Sequence, residues 1–152
     1  MKLTIAAVGR AARGPERDLY EHYAGRIRWP LVLLEVEEKR KLPAPRLVER
    51  EGQLLLAAVP RGALVVALDR RGKQLASDAF ARQLQRWRDQ GISDAAFLIG
   101  GANGHGEQLL QRAGLVLSFG DMTWPHLLAR GLLAEQIYRA QQLIAGHPYH
   151  RS

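Results

Sequence analysis

The chain contains no cysteine. Disulfides, thiolate metal sites and every cysteine nucleophile are therefore excluded. Acidic residues are scarce beside basic ones, 15 against 22, which leaves a net charge of +7 and a sequence pI near 10.4. A balance of this kind favours polyanionic partners, nucleic acid above all and an anionic membrane surface less often. No apolar run approaches the roughly 18 residues of a membrane span, and the opening Met1-Lys-Leu-Thr-Ile-Ala-Ala-Val-Gly9 is too short for a signal peptide. Together these absences point to the cytoplasm. There is no Gly-Lys-Ser/Thr of a P-loop and no Gly-x-Ser-x-Gly elbow. His147 and His150 lack the helical i, i+4 spacing of a zinc pair, so no metal site is expected.

What is present is a folded chain. At 152 residues and 47% hydrophobic content, one domain spanning 1–152 with a buried core is expected. Short β-type runs alternate with helical patterns. Strands are expected at 3–8, 31–36, 63–68, 95–99 and 115–118, and helices at 16–28, 46–59, from an N-cap at Ser77 through Phe80, Leu84 and Trp87, at 107–113 and at 126–144. The segment Asp69-Arg-Arg-Gly-Lys73 reads as a turn closing the third strand. Such alternation implies an α/β fold with a mostly parallel sheet and helices on both faces. In the last helix, Arg130 is the only polar residue between Leu127 and Ala134. A helix apolar all round is buried on all sides, which suggests a second subunit as well as the protein's own sheet.

Three loops leave the carboxyl ends of strands, after Leu68, Ile99 and Ser118, where ligands bind in open α/β sheets. Gly100, Gly101 and Gly104 allow a close backbone approach to a ligand, although Gly-Gly also marks an ordinary tight turn. In the loop Phe119-Gly-Asp-Met-Thr-Trp-Pro-His126, backbone groups suit a purine edge, and Met122 and Trp124 suit the walls around an aromatic ring. Trp124 equally suits core packing, and His126 the first turn of a helix that Pro125 opens near N1. The tail holds His147, Tyr149, His150 and Arg151, groups that stack on bases or pair with phosphates.

Several of these motifs together resemble one family. They are Leu-Ile-Gly-Gly-x-x-Gly at 98–104, Thr-x-Pro-His at 123–126, Tyr-Arg-Ala at 138–140 and His-Pro-Tyr-His-Arg at 147–151. The opening segment, Glu-Gly-Gln at 51–53 and Leu-Asp-x-x-Gly-Lys at 68–73 extend the likeness over the whole chain. The chain resembles the ribosomal RNA large-subunit methyltransferase H family, the smallest SPOUT (trefoil-knot) methyltransferases. It departs from the family's frequent Gly-Gly-Pro-Glu-Gly by reading Gly-Gly-Ala-Asn-Gly at 100–104.

The resemblance implies a homodimer of α/β subunits with a C-terminal trefoil knot whose loops bind S-adenosylmethionine. It implies methylation of N3 of a pseudouridine in 23S ribosomal RNA on the assembled ribosome. Carried over, the cofactor site is Leu68, Gly101, Asp121, Met122, Thr123, Trp124, Pro125 and His126. Tyr149, His150 and Arg151 serve the RNA and the transfer step, reaching the neighbouring subunit's pocket. Methyl transfer to a ring nitrogen needs alignment but no thiol, whereas C5 methylation through a cysteine adduct is excluded. Candidates to accept the N3 proton are His150, His126 and Glu135, with Arg151 favouring an anionic base. The alternative is a catalytically silent RNA-binding or ribosome-assembly module on the same fold; a nucleotide-dependent oxidoreductase fits worse because the glycines are misplaced for a dinucleotide fingerprint.

Overall fold

A computed structural model describes residues 1–151 and, among side chains, those up to Tyr149. The elements run β1 (Lys2–Val8), α1 (Pro15–Ala24), β2 (Leu31–Val36), α2 (Ala44–Ala58), β3 (Leu64–Gln74), α3 (Ser77–Asp89), β4 (Asp94–Ile99), α4 (Glu107–Arg112), β5 (Leu115–Ser118) and α5 (His126–Ile144), ending in a 3₁₀ turn, Pro148–Arg151. The five strands form one sheet in the order β2-β1-β4-β3-β5, and every pairing is parallel.

Sheet burial on both faces explains the composition of the central strands. Residues 3–8 and 95–99 are buried without alternation, as expected when helices cover each side. On one face, Leu3, Ile5, Val66, Phe97 and Leu117 pack with Tyr20 of α1, Phe80, Leu84 and Trp87 of α3, and Leu133 and Ile137 of α5. On the other, Ala6, Val65, Ala67, Ala96 and Leu98 meet Leu55 of α2 and Leu109 of α4. Each fully buried large aliphatic or aromatic side chain contributes about 1.5–3 kcal/mol, so the thicker α1–α3–α5 face carries most of the apolar stabilisation.

The structure corrects the sequence expectations at four places. The segment 69–73 is not a terminal turn: β3 continues to Gln74, and Leu117 of β5 pairs with both Leu68 and Lys73 across an irregularity. Residues 69–72 therefore form an excursion inside the strand. Ser77 is not an N-cap; Ala76 occupies that position, and the Ser77 hydroxyl donates to Gln136 Oε1 at 2.8 Å, tying α3 to α5. Helix α1 stops at Ala24, with Gly25 as its C-cap, although Ile27 still packs on the core. Pro125 is the N-cap of α5 rather than N1.

Arg130 is 1% exposed. Its guanidinium donates to Glu35 Oε2 at 2.6 Å and to the carbonyls of Val8 at 3.3 Å and Gly9 at 2.9 Å, while Nε is left without a partner among the described residues. Glu35 Oε2 also accepts from the Ala11 amide at 2.8 Å. One ion pair thus joins the start of α5 to the carboxyl ends of β1 and β2. Burial pushes the Glu35 carboxyl up, but the Arg130 and Ala11 bonds and the Arg130 and Arg10 charges outweigh it and hold the pKa below its ordinary value.

Candidate functional site

The excursion within β3 and the loops leaving β4 and β5 surround a cleft of about 680 Å³ at the carboxyl edge of the sheet, within the size range of small-molecule sites. Its first wall is the β3 excursion. Asp69 Oδ1 accepts from the Arg71 amide at 2.9 Å, folding residues 69–71 back on themselves. Arg71 pairs with the Asp69 carboxylate at 2.8 Å and donates to the His105 carbonyl at 2.8 Å, linking this wall to the next. The Arg71 bond holds the Asp69 carboxyl below its ordinary range. Gly72 is required here because a Cβ would stand 2.5 Å from the Val116 carbonyl oxygen. No L side chain fits where two backbones approach so closely.

The second wall is the glycine turn after β4. The Gly104 amide donates to the Gly101 carbonyl at 3.1 Å, and Gly104 takes φ +72°. A Cβ on Gly100 would meet the Gly104 carbonyl at 3.1 Å and the His105 ring at 3.2 Å; one on Gly101 would meet Val8 and both Glu51 carboxylate oxygens at 3.2 Å. The turn therefore presents bare backbone to the cleft while packed tightly behind. His105 lies beneath it, with Nε2 3.0 Å from the Leu98 carbonyl, which selects the Nε2–H tautomer as donor. Burial drives the His105 pKa down, so the ring is neutral and acts as a fixed prop.

The third wall is 119–126. The Gly120 amide donates to Ser118 Oγ at 3.0 Å, and Trp124 Nε1 donates to the Phe119 carbonyl at 3.3 Å. These bonds shape the loop, yet Met122 and Trp124 remain 74% and 42% exposed. Large apolar groups left in the open on a structured loop mark a place for a partner. His126 turns inward, and its Nε2 lies 3.3 Å from where a Cβ on Gly9 would be. Burial first, then the Arg130 charge, lowers its pKa.

Of the eight residues expected to hold a cofactor, Leu68, Gly101, Met122, Thr123, Trp124, Pro125 and His126 line this cleft, and exposed Asp121 does not. Tyr149 lies elsewhere. It lines a second hollow of about 730 Å³ with Tyr23, Glu135 and Arg139, and the two hollows share Leu117, Phe119, Gly120 and Trp124 as a common wall. Tyr149 Oη donates to Glu135 Oε1 at 3.1 Å. Its ring meets Tyr138 edge-on at 4.8 Å, with the Arg139 guanidinium 5.1 Å from its centroid. Burial, then the Glu135 bond, raises the phenol pKa, so the hydroxyl stays protonated. In this structure Tyr149 rests on its own α5. The side chains of His150 and Arg151 lie outside the described residues.

Sequence reasoning gave no role to Glu51, although it stands in the Glu-Gly-Gln motif at 51–53, and missed His105 and the Arg130–Glu35 pair. Arg130 carried a usable signal, since a lone arginine in a fully apolar helical stretch requires a buried counter-charge. No helix among the described residues is long and apolar enough to cross a membrane. No cluster of three or more His, Asp or Glu among them is placed to hold a metal ion.

Residues 1–150 match the family described as Predicted SPOUT methyltransferase. The chain is 61% identical over 152 residues to ribosomal RNA large subunit methyltransferase H of Rhodospirillum centenum, covering 100% of both chains. It is 58% identical to the protein of that name from Paramagnetospirillum magneticum, covering 99% of each. Among solved structures it is similar to Lpg2936 of Legionella pneumophila, determined with bound SAM, at TM-score 0.50 and 12% identity, covering 92% of this chain and 66% of that one. It is also similar to the SpoU methyltransferase AviRb of Streptomyces viridochromogenes, determined with AdoMet, at TM-score 0.50 and 10% identity, covering 92% of this chain and 58% of that one. At such identities the structural likeness speaks for the fold alone. The full-length sequence relatives and the family match place the chain within the SPOUT methyltransferases, in the family of ribosomal RNA large subunit methyltransferase H.

Proposed function

We propose that the protein uses S-adenosylmethionine to methylate N3 of a pseudouridine in 23S ribosomal RNA on the assembled ribosome. One observation carries the cofactor assignment: a cleft at the carboxyl edge of a parallel sheet, with a bare glycine turn on one side and an exposed Met122–Trp124 loop on the other. The residues fit the group. A Cβ on Gly100 or Gly101 would press on Gly104, His105, Glu51 and Val8, so it is bare backbone that faces the cleft; backbone groups of 119–126 suit the adenine edge, and Met122 and Trp124 suit its faces. When bound, the cofactor supplies an electrophilic methyl group for in-line displacement. The chain's own task is to align the acceptor and take its N3 proton.

Full-length relatives named for a ribosomal RNA methyltransferase support the RNA assignment, as does the net charge of +7. The hollow beside the cleft is the place for the target base. Glu135 and Arg139 line it, and Tyr149 of the same chain rests against them in the single subunit. Tyr149, His150 and Arg151 hold the base. Proton acceptance falls to His150, His126 or Glu135, with Arg151 favouring the anion. Two copies form a homodimer, one tail serving the other's pocket, and the segment after β5 is threaded as a trefoil knot. Convergence of 69–71, 100–105 and the 119–126 loop on one cleft supports that threading. The site of action is the cytoplasm.

Calorimetric titration with S-adenosylmethionine beside NADH tests the cofactor: binding of the first alone is expected, and its absence returns the chain to a silent RNA-binding module. Mass spectrometry of large-subunit RNA from cells lacking this protein tests the substrate. The methylated pseudouridine should vanish, and its persistence defeats the assignment.

A further inference from the structure

Glu51 belongs to a motif, Glu-Gly-Gln at 51–53, that the proposed chemistry leaves unused. It sits on α2 at 9% exposure. Among the described residues it has neither a hydrogen-bond nor an ion-pair partner, and Arg50 beside it turns away to Glu38 and Gln53. Both carboxylate oxygens lie 3.2 Å from the position of a Cβ on Gly101, and Val8 packs against the same point. Gly101 lines the cleft, so the carboxylate stands directly behind the cleft's glycine wall. Only burial acts on its pKa, and it raises it. Its oxygens keep some access to water and face no cation among the described residues, so the cost of their burial is only partly offset. In a chain of 22 Lys and Arg, a compensating cation would have been easy to place.

We infer that the missing counter-charge is supplied by the ligand, and that Glu51 selects the sulfonium form of the cofactor over the uncharged thioether left after methyl transfer. This rests on the reading that the cleft takes S-adenosylmethionine. Glu51 acts across the Gly101 backbone, by charge rather than contact. Through low-dielectric protein such an attraction survives where water would screen it. It favours the loaded donor and is lost once the methyl group has moved, which assists product release.

The test compares three ligands by calorimetry at neutral pH on the full chain: S-adenosylmethionine, S-adenosylhomocysteine, and sinefungin, which carries an ammonium where the sulfonium stands. Glu51→Gln is expected to weaken both cationic ligands about tenfold and leave S-adenosylhomocysteine nearly unchanged. Glu51→Asp, which keeps the charge, should retain the selectivity, and it provides a second folded variant should Glu51→Gln not fold. Equal weakening of all three ligands reduces Glu51 to a support for the glycine turn and overturns the inference. So does an unchanged ratio, or a Glu51→Asp variant as unselective as Glu51→Gln. If the wild-type chain binds none of the three, the cofactor reading itself fails, an outcome distinct from loss of selectivity alone.

Discussion

At the residue scale the molecule depends on a few contacts that admit no substitute. Arg130 is buried against Glu35, and removing one partner leaves an uncompensated charge, which typically costs about 3–5 kcal/mol. Arg130→Met is expected to lower stability by that order in urea unfolding, and adding Glu35→Gln to recover part of it. The pH dependence has a definite sign. Because the folded Glu35 pKa lies below the ordinary value, its contribution is present above the unfolded pKa and is lost as pH falls through the folded one. Gly72 is constrained by the Val116 backbone at 2.5 Å. Gly72→Ala should cost about 1–3 kcal/mol as overpacking, read as a fall of several degrees in Tm.

At the element scale the cleft is braced by contacts between loops rather than by any one of them. His105 props the glycine turn, and its carbonyl receives Arg71 from the β3 excursion. Since burial lowers the His105 pKa from its ordinary 6.5, the unfolded chain binds the proton first. Stability should therefore decline as pH drops below about 6.5, with His126 contributing in the same direction. Denaturation midpoints across pH 7 to 5 would record the decline, and His105→Gln should flatten it. Leu19 of α1 packs over Gly131 of α5, where a Cβ would lie 2.7 Å from Leu19 Cδ2. Gly131→Ala should force Leu19 aside and lower the urea midpoint.

Element identity was legible because each strand and helix announces itself locally. Strands β2 and β5 and helix α5 fall where periodicity places them, and the glycine turn and the 119–126 loop stand out by their residues alone. What was not legible depends on distant partners. Asp69-Arg-Arg-Gly-Lys73 has the composition of a turn, and only Leu117, pairing on both sides of the excursion, shows that the strand resumes. The Arg130–Glu35 bond spans 95 positions. Glu51 looks like an ordinary helix-surface acid until Gly101 of another element is packed against it.

At the scale of the whole molecule, two expectations concern association. Sedimentation should report a species of twice the 17.0 kDa chain mass, and a monomer at micromolar concentration would remove the shared-pocket arrangement. Binding to ribosomal RNA should weaken steeply with added salt as counterions are released. Replacing His150 or Arg151 with Ala should slow methyl transfer by about 10²- to 10⁴-fold. Full turnover in either variant would take the tail out of the chemistry.

The order of the strands constrains biosynthesis. β1 precedes the other four strands in the chain, yet it lies between β2 and β4, and its carboxyl end is bound by Arg130 of α5. A nascent chain in which α5 is not yet made lacks the Arg130 partner of Glu35 and the helix that covers the first strand. The opening segment must therefore wait, exposed, for the closing one. Truncations that remove α5 should therefore fail by aggregation through the exposed N-terminal strands.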